Sequence, residues 1–200
     1  MRTPSGPRRR RGLSRREWLW ALLGIGATLF GGRTLHAQSV TTEYQVKSLF
    51  ILNFMRFVDW PADTFPDASA PFVVGTVGDN PFGPLLRDAV RDQQVRGRRL
   101  LVKELGPHDN LAQCHLLFIS RSERERLGGI LSSLRSSPTL TISELEQFCQ
   151  DGGMIRFVTL DGNVRFEINP SAAARAQLQV SAKLLTLARA IVDPPPARAP

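Results

Sequence analysis

The stretch FVVGTVGDNPFGPLLRDAVRD, residues 72–92, decides the fold predicted for this chain. Its first seven residues form an apolar run of the kind that makes a buried strand. DNPFG supplies turn residues, and the segment that follows has the composition of a short helix. A buried strand followed by a helix is the repeating unit of a parallel sheet whose faces are covered by helices.

Strand and helix continue to alternate as far as residue 142. Short strands are predicted at 98–105, 115–120 and 138–143, and a helix is predicted over 122–135. Two more helices are predicted near the end of the chain, NPSAAARAQL and SAKLLTLARAIV. In the second helix, four side chains are expected to face the core: Leu184, Leu185, Ala188 and Ile191. We therefore expect an α/β fold, a three-layer sandwich around a mixed, mostly parallel sheet.

A β-hairpin is predicted at one edge of that sheet by GMIRFVTLDGNVRFEIN, residues 153–169. Asp161-Gly162 is a strong signal for a two-residue type I′ turn. That turn fixes the register and places Arg156 opposite Glu167. Because side chains alternate, one face is apolar, with Ile155, Phe157, Val164, Phe166 and Ile168. The other face carries Arg156, Arg165, Glu167 and Asn169.

Glu167 has two compatible interpretations on that polar face. In the first it only pairs with Arg156 across the strands, a contact that contributes about 0.2–1 kcal/mol. In the second the face with Arg165 and Asn169 is free to meet a protein partner or a second copy of the chain. On either account, Glu167→Gln is expected to cost under about 1 kcal/mol of stability.

An amphipathic helix is predicted to open the folded part, with Thr42 as its N-cap and Pro61 at its end. Trp60 comes directly before that proline, so its ring could lie half exposed. Exposed aromatic side chains of this kind often anchor protein interfaces. The alternative is that Trp60 closes the core as a lid.

Residues 1–37 have the layout of a secretory signal peptide. A basic start is followed by about 13 apolar residues from Trp18 to Phe30 and by small Ala37, after which cleavage is expected. The apolar run is shorter than the roughly 20 residues that span a bilayer. SRREWLW also resembles a twin-arginine export signal, with an ordinary basic leader as the alternative.

The charge of the chain belongs mostly to that leader. Residues 1–37 hold eight Arg and one Glu, a net +7 of the formal +8, which leaves about +1 for residues 38–200. Nucleic-acid binding is therefore not supported, since it needs a basic surface on the folded part. We expect one domain over 38–192, followed by a disordered Pro-rich tail over 193–200.

The sequence lacks the usual signatures of catalysis. It contains no HExxH, CxxC, GxSxG or GxxxxGK[ST] motif. We therefore expect no catalytic residue, no metal and no cofactor. Asp79 and Asn80 follow the predicted strand of 72–78, where α/β sheets commonly bind small ligands. They are the candidate residues for a ligand-binding sensor.

Cys114 and Cys149 each precede a predicted strand. In an oxidising exported compartment, two thiols could form one disulfide. The alternative is two separate buried thiols, since cysteine often packs as a small core residue.

Six segments in order resemble the YfiR-like family (the DUF4154 domain) and run from about Glu43 to Ala190. They are EYQVKSLFILNFMRFVDWP, VVGTVGDNPFG, CHLLFIS, GGMIRFV, VRFEIN and SAKLLTLA. The namesake carries four cysteines, whereas Val74 and Arg156 stand at two of those positions here. Any family-type bridge would therefore have to join Cys114 to Cys149.

This resemblance implies a non-catalytic periplasmic regulator with an α/β sandwich fold. Its expected partner is an inner-membrane signalling protein, a diguanylate cyclase or a sensor kinase, and repression of a cyclase would control cyclic di-GMP and biofilm. An outer-membrane lipoprotein and a second copy of the chain are further implied partners. The alternative function is a periplasmic small-ligand-binding sensor domain of another signalling system.

Overall fold

A computed structural model of the chain describes the backbone of residues 31–193 and the side chains of residues 40–193. The α-helices in this range are α1 (Gly31–Phe57), α2 (Leu85–Val90), α3 (Leu127–Ser133), α4 (Pro170–Arg175) and α5 (Ala182–Leu187). Short 3-10 helices cover Ala62–Thr64, Leu111–Gln113 and Arg121–Arg126. The strands are β1 (Val58–Asp59), β2 (Phe72–Val77), β3 (Gln94–Val95), β4 (Arg98–Leu105), β5 (Leu116–Ile119), β6 (Leu140–Ser143), β7 (Ile155–Leu160), β8 (Asn163–Ile168), β9 (Gln179–Val180) and β10 (Ala190–Ile191).

Eight of these strands form one sheet in the order β10-β8-β7-β6-β5-β2-β4-β3. The strands from β7 through β6, β5 and β2 to β4 are parallel, whereas β8 pairs antiparallel with β7 and β3 pairs antiparallel with β4. The remaining strands, β1 and β9, pair with each other. The predicted α/β class and the mixed, mostly parallel sheet are thus confirmed.

Apolar side chains fill both faces of the sheet. On one face α1 packs Ile51 and Phe54 against the hairpin, where Phe54 lies 5.0 Å from Phe166 between ring centroids. On the other face α3 contributes Leu127 and Ile130 to a second buried cluster. Helices therefore cover the sheet on both sides, which is the predicted three-layer arrangement.

Strand predictions were more accurate than helix boundaries. The strand over 98–105 is confirmed residue for residue, and the hairpin has the predicted register, with Arg156 opposite Glu167. The predicted start of α1 is wrong, because Thr42 lies inside a helix that begins at Gly31. Its predicted end at Pro61 is also wrong, because the helix ends at Phe57 and β1 follows, paired with β9.

The last predicted helix is too long. It ends at Leu187, and Ala190–Ile191 continues as β10 alongside β8. The amide of Arg189 donates to the carbonyl oxygen of Phe166 at 2.8 Å, so β10 satisfies backbone groups that β8 would otherwise leave open. The hairpin is therefore not the sheet edge that was predicted, and Ile191 is 57 % exposed rather than inward.

The chain divides into two compact units, Met1–Val40 and Thr41–Pro200, and every strand described above belongs to the second. The described part of the first unit, from Gly31, is helical. The predicted leader over 1–37 lies mostly outside the described residues, as does the predicted tail beyond Asp193. None of the described helices is long and apolar enough to cross a membrane.

Candidate functional site

Polar side chains collect where the parallel strands end. Gly78, Asp79 and Asn80 follow β2, Ser120 and Arg121 follow β5, and Glu144 follows β6. The carboxyl ends of parallel strands are the usual position of binding sites in α/β sheets. This edge is therefore the candidate functional site.

A buried ionic network occupies the β5–β6 part of this edge. The carboxylate of Glu144 is 3 % exposed and accepts hydrogen bonds from Lys47 Nζ and from the Tyr44 hydroxyl at 3.1 Å. It also forms an ion pair with Arg121, whose Nε lies 3.0 Å away. Lys47 is 2 % exposed and also pairs with Glu43. We refer to Glu43, Tyr44, Lys47, Arg121 and Glu144 as the Lys47 cluster.

The Lys47 cluster balances its own charge, with two carboxylates facing one ammonium and one guanidinium. Partial burial raises the pKa of Glu43, but hydrogen bonds from Lys47 and Thr159 outweigh it, so that pKa lies below its ordinary value. Burial, followed by the charge of Glu144, raises the pKa of the Tyr44 hydroxyl. Each charged group is satisfied by another member of the cluster or by Thr159. The arrangement therefore fastens α1 to the ends of β5 and β6 rather than presenting a reactive group.

Asp79 and Asn80 lie at this same edge, directly after β2, as the sequence predicted. The Asn80 amide is engaged at both ends, because its Nδ2 donates to Glu104 at 2.9 Å and its Oδ1 accepts the amide of Phe82 at 3.0 Å. The amide of Asp79 donates to Ser122 Oγ at 2.9 Å, and the Asp79 side chain is exposed. These contacts shape the turn that leads towards α2.

Glu167 is more buried than the sequence indicated. It pairs with Arg156 at 3.1 Å, as expected, but also with Arg189 at 2.7 Å, and only 8 % of its side chain is exposed. Asn169 is fully buried, where its Oδ1 caps α4 through Ala172 N at 2.8 Å. The expectation that these two side chains lie on a free polar face is therefore wrong. Arg165 is exposed on that face.

Glu167→Gln is now expected to lower the free energy of unfolding by about 2 kcal/mol. The neutral amide keeps the shape of the side chain, but it loses the charge that both Arg156 and Arg189 bind. Urea unfolding of the wild type and the variant measures the difference. Arg165→Gln is the matched control and should change stability by less than about 0.5 kcal/mol. A loss under about 1 kcal/mol for Glu167→Gln would restore the original surface-pair estimate.

Trp60 lies in the core. It is 8 % exposed, its ring meets Phe72 edge-on with centroids 5.1 Å apart, and its Nε1 donates to the carbonyl oxygen of His115 at 3.2 Å. This position matches the lid interpretation. The imidazole of His115 stacks on Phe65 with centroids 4.5 Å apart, and its Nδ1 accepts the amide of Val73 at 3.0 Å.

The free energy of unfolding should decrease as the pH falls, because of the titration of His115. Burial, followed by the charge of Arg98, lowers its pKa from 6.5 to about 4. The unfolded chain thus takes up a proton below pH 6.5 that the folded protein resists until about pH 4, so stability present at pH 7 is lost across that window. The expected loss from this residue is about 3 kcal/mol.

The measurement is the difference between the wild type and His115→Asn in urea unfolding at pH 7 and pH 4. Asparagine cannot take up the proton, and its Oδ1 can still accept the Val73 amide. The wild type should lose more stability than the variant over this range. Equal losses would show that His115 does not titrate in the way its burial requires.

Cys114 and Cys149 are free and buried, as in the alternative of two separate thiols. Cys114 packs so closely on Gly75 that a Cβ at that glycine would lie 2.5 Å from the sulfur. Cys149 Sγ faces the carbonyl oxygens of Met154 at 3.7 Å and Glu167 at 3.8 Å. Burial raises the pKa of Cys114 to about 11 and that of Cys149 to about 12. Both thiols are therefore protonated at neutral pH, which makes them poor nucleophiles.

One feature of the sequence points to the Lys47 cluster. Lys47 stands on the inward side of α1 in helical spacing with Ile51, Phe54 and Met55, all of them buried. A lysine is almost never fully buried without a partner, so its position predicted a buried acid elsewhere in the chain. In the part of the chain that the structure describes, no group of three His, Cys, Asp or Glu side chains could hold a metal ion.

A family model described as YfiR/HmsC-like matches residues 44–189. The match begins at Tyr44 in the Lys47 cluster and ends at Arg189, which pairs with Glu167. It therefore spans more than half of the chain and includes every strand of the large sheet except β10.

Proposed function

We propose that the chain, which belongs to the YfiR/HmsC-like family, is a periplasmic regulator that binds a membrane signalling protein and represses it. Family membership suggests regulation of cyclic di-GMP signalling. The proposed partner is a diguanylate cyclase of the inner membrane, with a sensor kinase as the other candidate. Repression of the cyclase would lower cyclic di-GMP and disfavour biofilm.

The family match carries this proposal, because it covers nearly the whole folded unit rather than one motif. The geometry of the candidate site supports the same conclusion. Lys47, Glu144 and Glu167 are buried and paired with one another or with arginines, so their charge stabilises the fold. A scaffold whose buried charges are paired internally suits a protein that acts by binding.

The remaining partners implied by the family are part of the proposal. An outer-membrane lipoprotein would compete for the regulator and release the cyclase, and a second copy of the chain would form a homodimer. Export with a cleaved leader over residues 1–37 would bring the folded unit to these partners in the periplasm.

A small-ligand-binding sensor is the second candidate function, and Asp79 favours it. Among the described residues, its carboxylate has no hydrogen-bond or ion-pair partner, and it lies at the carboxyl end of β2. A cationic or amine-containing ligand would fit that position. Thermal shift with a panel of such ligands, comparing the wild type with Asp79→Asn, distinguishes this function from protein binding.

Chemical cross-linking in intact cells of the organism of origin tests the main proposal. A full chain with a C-terminal affinity tag should recover a membrane protein that has both a periplasmic segment and a cyclase domain. The matched control lacks residues 1–37, stays in the cytoplasm and should recover no such protein. Recovery of the same proteins by both chains, or of no signalling protein by either, would contradict the proposal.

A further inference from the structure

Strand β4 is open to solvent along most of one edge. On one side it pairs with β2 over six residues, Leu100–Leu105. On the other side β3 reaches only Arg98 and Arg99. The remaining six residues of β4 therefore have no neighbouring strand on their outer side within the described chain.

The short β3–β4 turn shows which backbone groups point outward. Its residues, Arg96 and Gly97, have φ of 54° and 76°, as a type I′ turn requires. In such a hairpin the flanking residues, Val95 and Arg98, exchange both backbone hydrogen bonds. Arg98 thus directs its amide and carbonyl away from β2. By alternation, Leu100, Val102 and Glu104 do the same.

The pairing of β2 leads independently to the same assignment. The carbonyl oxygens of Val73 and Val77 accept amides from the β5 side, at 2.9 Å and 3.0 Å. The backbone amide and carbonyl of Val74 must then point toward β4. In a parallel pair they bond to the two residues that flank its partner Val102. The backbone amide and carbonyl of Val102 itself therefore point outward, away from β2.

Val102 and Glu104 thus present two amides and two carbonyl oxygens on the open edge, whereas Leu100 lies opposite Gln93, directly before β3. Within the described residues, no strand pairs with Val102 or Glu104 on this side. Such a row is a template for one more strand, and proteins bind extended peptides in this way.

The side chains beside this row indicate the kind of strand that fits. On the α3 side of the sheet, β4 carries Arg99, Leu101 and Lys103 at alternate positions. Arg99 is exposed and has no acidic partner among the described side chains, Leu101 is 44 % exposed, and Lys103 Nζ contacts only the amide oxygen of Gln113, at 3.0 Å. The pattern is cation, apolar, cation. Its complement on an added strand is acid, apolar, acid.

We propose that the open edge of β4 binds an extended acidic segment of a protein partner as an additional strand of the sheet. Main-chain hydrogen bonds to Val102 and Glu104 hold the segment, and its acidic side chains pair with Arg99 and Lys103. The inference rests on the proposed function, because it supplies the surface by which a regulator would hold its partner. Cations on an edge also serve simply to repel other strands, and the experiment separates these two roles.

The probe is the capped peptide Thr-Glu-Thr-Val-Thr-Glu-Thr, with Thr-Lys-Thr-Val-Thr-Lys-Thr as its matched control. Backbone amide exchange of the full chain is followed by NMR with each peptide. The acidic peptide should slow exchange at Val102 and Glu104, whereas the basic peptide should not. Unchanged exchange at those amides, or equal protection by both peptides, would overturn the proposal.

Two variants test the contacts separately. Val102→Pro removes an outward amide that has no partner in the free protein, so the sheet should remain while peptide protection is lost. The double variant Arg99→Glu/Lys103→Glu tests the side-chain contacts and also tests binding at this edge should Val102→Pro fail to fold. It should bind the acidic peptide at least about five-fold more weakly and bind the basic peptide in its place. A double variant that keeps its preference for the acidic peptide would refute the charge assignment.

Arg175→Glu is the control for a change of charge alone. Arg175 is exposed in the last turn of α4, which follows β8 rather than β4, so peptide binding should not change. No cyclase takes part in these measurements. Peptide binding at β4 without recovery of a signalling protein from cells would refute only the proposed function. Recovery of a signalling protein without peptide binding at β4 would refute only this inference.

Discussion

Glu144→Leu is expected to lower the free energy of unfolding by about 3–5 kcal/mol. The reason is that Lys47 is 2 % exposed and would lose the buried carboxylate that it faces. Glu43, on the more exposed side of the cluster, would be the one carboxylate of the cluster that still pairs with Lys47. Urea unfolding followed by circular dichroism measures the loss.

A double-mutant cycle separates the charge from the loss of volume. Lys47→Met in the Glu144→Leu background removes the buried ammonium that has lost this carboxylate and should recover most of the lost stability. Glu146→Leu is the matched control, because Glu146 is exposed two residues away, and it should change stability by less than about 0.5 kcal/mol. If the double variant is no more stable than Glu144→Leu alone, the two residues do not act as a buried ion pair.

Trp60→Ala should cost a similar amount, about 3–5 kcal/mol, because it leaves a cavity beside Phe72. Trp60→Phe keeps a ring in that space but loses the Nε1 hydrogen bond to the His115 carbonyl, so its cost should be smaller, about 1–2 kcal/mol. Leu49→Ala, at a position 55 % exposed on α1, is the control for a surface truncation. Thermal melts of the three variants give the order. An unchanged melting temperature for Trp60→Ala would contradict the lid and restore the interface interpretation.

The parts of the fold that follow local rules were predictable. Asp161-Gly162 accepts the left-handed backbone of a type I′ turn, and that turn alone set the pairing of Arg156 with Glu167. The alternation of RRLLVKEL likewise marked β4 over 98–105. In each case the residues that decide the structure lie within a few positions of the residues that form it.

The parts that depend on distant residues were not predictable in this way. The partner of Lys47 is Glu144, which lies 97 positions later, and periodicity contains no information on such a pairing. β10 is only two residues long, and it forms because β8 has an open edge beside it. The local sequence there continues a helical pattern, so a helix was predicted through these residues. The same unseen strand brings Arg189 to Glu167, which explains why Glu167 was expected on a free face.

The central claim is repression of a membrane cyclase from the periplasm, and intracellular cyclic di-GMP tests it most directly. Cells that lack this chain should contain more cyclic di-GMP than wild-type cells. The full chain expressed in trans should restore the lower level, whereas a chain without residues 1–37 should not. An unchanged cyclic di-GMP level in cells that lack the chain, or full restoration by the unexported form, would contradict the account.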